Sequence, residues 1–149
     1  MSMRKISMGA MIAIAVTGLF LTMVTAGVLV SSQTVTSGGT VTAIGVGVYT
    51  DSACTVNCTS IDWGTLAPSN STTRTVYIKN TGTGSVTLSM ATANWVPSNA
   101  NTYLTLTWNR ANYVLTAGSS VQATLTLTAS ASAGAITTFS FNIVITGTQ

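Results

Sequence analysis

Charge is nearly missing from this chain: 5% of its residues are Asp, Glu, Lys or Arg, against about 25% in an ordinary globular domain. Histidine is absent altogether, which removes the commonest general base and the commonest metal ligand together. Only two acids are present, Asp51 and Asp62. Two carboxylates can in principle flank a glycosidic bond, but no supporting polar constellation accompanies these. Serine and threonine are abundant, yet no base is placed to activate one as a nucleophile. No enzymatic, metal or cofactor chemistry is expected.

The basic side is equally thin. Of the net charge of +3, Arg4 and Lys5 supply two; Arg74, Lys79 and Arg110 against Asp51 and Asp62 leave one positive charge for the rest. Nucleic-acid binding needs a basic patch, and this balance gives none. The two cysteines, Cys54 and Cys58, have the spacing C-x3-C. Without histidine or a second cysteine pair they cannot complete a zinc site. Without a C-x-x-C motif they do not suggest redox work. Outside the cell they are expected to form a disulfide that stiffens one small loop, with little gain in chain entropy.

What is present is apolar. Hydrophobic residues make up 46% of the 149, and the mean hydropathy of +0.51 excludes a disordered tail. The surface must then be wetted by Thr, Ser, Asn and Gly, which suits an extracellular, glycosylated protein better than a cytosolic one. Met8 to Val30 carries no charge and follows Arg4-Lys5. At ~1.5 Å rise per residue a helix over this segment is roughly 34 Å long, enough to cross a bilayer core.

Two readings of the segment stand side by side. As a retained helix it would keep Arg4 and Lys5 on the cytoplasmic side, and Gly18, Thr22 and Ala26 would form an i, i+4, i+8 row of small residues for helix packing. As a secretory signal it would be cut after Val24-Thr25-Ala26, before Gly27.

The chain therefore divides into a hydrophobic segment with its basic flank (1–30), a polar linker (31–39) and one β domain (40–149). In the domain, period-2 patterning predicts about seven short strands. Thr40–Tyr49 places Val41 and Ala43 on one face, then Ile44, Val46 and Val48 on the other, which suggests a bulge near Ala43–Ile44. Thr73–Asn80, with Val76 and Ile78 inward, and the row Val86, Leu88 and Met90 are joined by Thr81-Gly82-Thr83-Gly84, which reads as a hairpin. Leu104, Leu106 and Trp108 form a further row, Val121 to Ala129 the longest, and Phe139, Phe141, Ile143 and Ile145 the last. The fold class is mainly β: an N-terminal hydrophobic α-helix followed by an antiparallel β-sandwich of immunoglobulin-like size.

Trp63, Trp95, Trp108, Phe139 and Phe141 are expected in the core; a carbohydrate-stacking platform is the alternative for the tryptophans. Asn57-Cys58-Thr59 and Asn70-Ser71-Thr72 are sequons for N-glycosylation in loops. Asn70 is the better placed, since a glycan on Asn57 would crowd the cysteine loop.

A charged start, an uninterrupted apolar segment and a single strand domain together resemble archaeal type IV pilins and archaellins. The stretches Ile61 to Pro68 and Thr75 to Gly82 look like an immunoglobulin-like domain of archaeal surface proteins. The resemblance implies a structural subunit of an extracellular filament. In it the helix forms the core and the sandwich the outer surface, in adhesion, with the subunit membrane-inserted before assembly. Its partners would be copies of itself, the membrane through the helix, and glycan or surface-protein contacts. Two alternatives are a membrane-anchored binding module and a secreted subunit assembled by donor-strand exchange, in which Thr34–Tyr49 enters a neighbour's open sheet.

Overall fold

A computed structural model describes residues 36–149. The expected hydrophobic helix, with Gly18, Thr22 and Ala26, lies outside the described residues. Among the described residues no helix is long and apolar enough to cross a membrane.

The domain is mainly β, built from β1 (Thr36–Ile44), β2 (Gly47–Tyr49), β3 (Ser60–Asp62), β4 (Ser71–Lys79), β5 (Val86–Val96), β6 (Leu104–Trp108), β7 (Val114–Leu115), β8 (Ser120–Ala129) and β9 (Thr138–Thr148). A one-turn helix, α1 (Ala100–Tyr103), leads into β6, and a 3-10 turn (Ala133–Ala135) precedes β9. Nine strands thus stand where about seven were expected, the surplus being two- and three-residue pieces. They form two sheets, ordered β3-β1-β9-β5-β7 and β2-β4-β8-β6, an arrangement that fits a β-sandwich.

The inward rows fuse into one core. Val76 and Ile78 of β4, Ala123, Leu125 and Leu127 of β8, and Phe139, Phe141, Ile143 and Ile145 of β9 are all buried. β8 and β9 are flanked on both sides within their sheets, which is why their apolar rows are the longest in the chain. Each large side chain so buried contributes on the order of 2 kcal/mol.

Four expectations are corrected. Residues 36–39 are not linker: they open β1, with Gly38 opposite Asp62 and Ser140, and Gly39 opposite Ile61 and Phe141. The parity switch near Ala43–Ile44 is not a bulge but a change of sheet. The chain leaves β1 in the first sheet, turns at Gly45 and enters β2 in the second. Gly45 has φ +72°, and a Cβ there would stand 2.5 Å from the Gly147 carbonyl oxygen, so the crossing requires glycine. Ile44 accordingly ends up 53% exposed while Val46 and Val48 are buried. Likewise β4 and β5 are not a hairpin. β4 pairs with β8 and β5 with β9, so the glycine-rich connection arches between sheets and lets the two inward rows face one another.

The sandwich is not wholly antiparallel either. β1 runs parallel to β9 through an unbroken register from Thr36–Thr138 to Ile44–Thr146. A parallel pair needs a long connection, and here it is the whole domain, since β1 and β9 are its first and last strands.

Candidate functional site

The loop holding the cysteines is organised by a carboxylate. Thr50 N–H donates to the Val56 carbonyl and Cys58 N–H to that of Val48, each at 2.9 Å, while Tyr49 bridges Asn57. Inside this frame Asp51 accepts the Val56 N–H at 2.8 Å, the Thr55 hydroxyl at 2.7 Å and the Thr55 N–H at 3.0 Å. These donors, the Val56 N–H foremost, hold the Asp51 carboxyl below the usual aspartate range.

The expected disulfide is not formed; both cysteines are free. Cys54 sits in a left-handed turn, φ +54°, with its Sγ 4.0 Å from the Ser52 carbonyl oxygen. Cys58 lies on the strand-like return beside Val48, buried with the core, its Sγ 3.7 Å from the Ser60 carbonyl oxygen. One thiol belongs to the turn and the other to the core. Burial pushes the Cys58 thiol above its ordinary value.

Asp62 is also taken up locally. Its Oδ1 accepts the Gly64 N–H at 2.8 Å, and its carbonyl accepts Arg74 Nε at 2.7 Å. Arg74 belongs to β4, so this bond ties the second sheet to the first. Both acids therefore serve loop geometry. Among the described residues no three His, Cys, Asp or Glu stand together as metal ligands would.

The aromatic residues split into two groups. Trp63, Phe139 and Phe141 are buried, with Trp63 and Phe139 stacked about Phe141 at 6.3 and 6.1 Å. Trp95 and Trp108 are only half-buried. Trp95 covers Phe141 at 4.0 Å and 13°, its indole N–H donating to Thr92 Oγ1 at 3.2 Å. One face of its ring is thus used as a cap on the core. Trp95 and Trp108 lie on strands of different sheets, so the three tryptophans do not build one sugar-stacking surface. The Trp63 indole N–H is buried with no hydrogen-bond partner among the described residues, 3.4 Å from where a Cβ on Gly39 would stand.

One polar residue that composition passes over holds the arch together. Asn80 is fully buried. Its Nδ2 donates to the Gly84 and Leu115 carbonyls at 2.8 and 3.0 Å, and its Oδ1 accepts the Gly82 N–H at 2.9 Å. The signal that finds it is Asn80-Thr81-Gly82, an Asx turn in which the side chain bonds two residues on.

The surfaces left for recognition are sheet edges. β2 covers only residues 77–79 of β4, and β7 covers only Val86 and Thr87 of β5. Among the described residues no strand lies outside Ser71–Val76, Ser89–Val96 or β6. Open edges invite another chain. Arg74 lies at the first, also donating through Nη1 to the Thr73 carbonyl at 2.8 Å. A register shift between Ala93 and Val96 interrupts the second. β6 is short. Near these edges Val96, Val114 and Tyr113 are the exposed large apolar residues.

Asn57 and Asn70 are both exposed, Asn57 on the cysteine loop and Asn70 in the turn before β4. Compared with known proteins, the chain matches no family model and no curated protein.

Proposed function

We propose that this chain is a structural subunit of an extracellular cell-surface filament, like the archaeal type IV pilins and archaellins it resembles. The apolar segment Met8–Val30 forms the filament core, and an immunoglobulin-like sandwich forms the outer surface that serves in adhesion. One observation carries the reading. The first strand of the domain, β1, lies inside its sheet between β3 and β9, and only residues 31–35 separate it in sequence from the apolar segment. A head joined so closely, through a strand that cannot leave without opening the sheet, is suited to stacking copies at a fixed spacing. The hydroxyl-rich, charge-poor surface supports an extracellular setting.

Strand donation is the second arrangement of the same polymer, and a separate feature of β1 favours it. The strand is held by a full ladder to β9, yet among its residues from Gly38 on it buries only Gly39 and Val41. Backbone bonds that depend little on side chains are the kind one copy can offer another.

Mass spectrometry of the mature protein, with electron microscopy of sheared cell-surface material, tests both. Filaments whose subunits start near residues 6–11 are expected for a helical core, and a start at Gly27 for strand donation. Intact Arg4 and Lys5 on dispersed membrane monomers would leave a simple anchored binding module and remove the polymer.

A further inference from the structure

The fold separates the two sequons. Asn57-Cys58-Thr59 is held on both sides: Asn57 bridges Tyr49, Cys58 donates to Val48, and the Thr59 carbonyl accepts the Val41 N–H at 2.9 Å. That triplet is threaded between β2 and β1. Asn70-Ser71-Thr72 is held on one side only: the Asn70 carbonyl accepts the Ala129 N–H at 2.9 Å and Ser71 and Thr72 pair with β8, while the other side is uncovered. Asn70 closes a turn, its N–H donating to the Ala67 carbonyl at 3.1 Å, directly after Ser69 at φ +64°. Its side chain is exposed and makes no hydrogen bond among the described residues. The strand edge that begins one residue later, Ser71–Val76, is the long uncovered side of β4.

We propose that Asn70 is N-glycosylated and that the sugar screens this edge of β4 from other strands. The inference rests on the surface location proposed above, because the donor and its transferase act outside the cytoplasm. The acceptor atom is Asn70 Nδ2, and the donor is an oligosaccharide carried on a polyprenyl diphosphate. A bond forms between Nδ2 and the sugar C1 as the C1–O bond to the diphosphate breaks. The amide gives up one proton, and the lipid diphosphate departs with the electron pair. Thr72 supplies the hydroxyl that the acceptor triplet requires; in the folded chain that oxygen accepts Arg74 Nη1 at 3.2 Å.

The test uses full-length protein purified from the cells that make it, with peptide mass mapping of wild type, N70Q, T72A and T72S. Glycan mass is expected on Asn70 in wild type and T72S and is lost in N70Q and T72A, with Asn57 bare throughout. T72S keeps the hydroxyl, so its agreement with wild type separates loss of the acceptor motif from loss of the fold. Protease treatment of intact cells is run alongside. Protein reachable at the surface with a bare Asn70 overturns the glycan and leaves the surface reading standing. Protein beyond reach of protease overturns the surface reading and the glycan with it. Sugar found on Asn57 alone overturns the assignment to Asn70.

Discussion

Asn80 shows what a single polar residue can hold in place. Its three side-chain bonds reach the arch after β4 and the strand β7, and truncation would strand buried carbonyls as well as remove the bonds. N80A is expected to lose on the order of 3 kcal/mol, read as a lower urea midpoint with an unchanged slope. Trp63 makes the opposite case, because its N–H is already orphaned. W63A is expected to cost about 3–5 kcal/mol. W63F should cost much less, since the unpaired donor leaves with the ring that carries it; equal losses in chemical denaturation would contradict this. Asp51 adds a pH dependence. Its carboxyl is held below the ordinary value of about 3.9 by the Val56 N–H and the Thr55 hydroxyl. The loop's stabilisation is therefore complete above that value and fades as pH falls through the lower, folded one. Amide exchange at Thr55 and Val56 should accelerate in acid, and D51N should show fast exchange with no acid step.

At the scale of elements, the crossing from β1 to β2 and the exchange of β1 itself are the points open to test. G45A forces a side chain into the left-handed region and against the Gly147 carbonyl. It is expected to cost about 1–3 kcal/mol, with the thermal midpoint falling accordingly. A chain that begins at Gly45 leaves β9 and β3 without their common neighbour. It should lack native near-UV circular dichroism alone and regain it when a peptide of residues 36–44 is added; no recovery would count against strand donation. The same elements show what could be read in advance. The inward rows of β4, β8 and β9 were legible because alternation along a strand is local, and burial of Val76, Leu125 and Phe141 follows from it directly. Which sheet each strand joins is not local. The reversal at Ala43–Ile44 and the arch at Thr81–Gly84 have the same sequence signature as a bulge and a hairpin. Only Gly45 and Asn80 distinguish them, through contacts with residues far along the chain. The cysteines raise a related point: C-x3-C spacing says that two thiols are near in sequence, but the Cys58 N–H bonds the Val48 carbonyl and its side chain is buried, while Cys54 stays with the turn.

For the whole molecule, the first and last strands lie side by side, pointing the same way. Residue 36 is level with residue 138, and residue 44 with residue 146, so the start of β1 and the end of β9 sit at opposite ends of one sheet. A stretching force led in at residue 36 and out at residue 148 would run along the strands, across the rungs between them, instead of prising them open one after another. Every rung shares that load in shear. Under tension the domain should hold rigid and then yield abruptly, whereas a pull applied across the strands should peel it apart at low force.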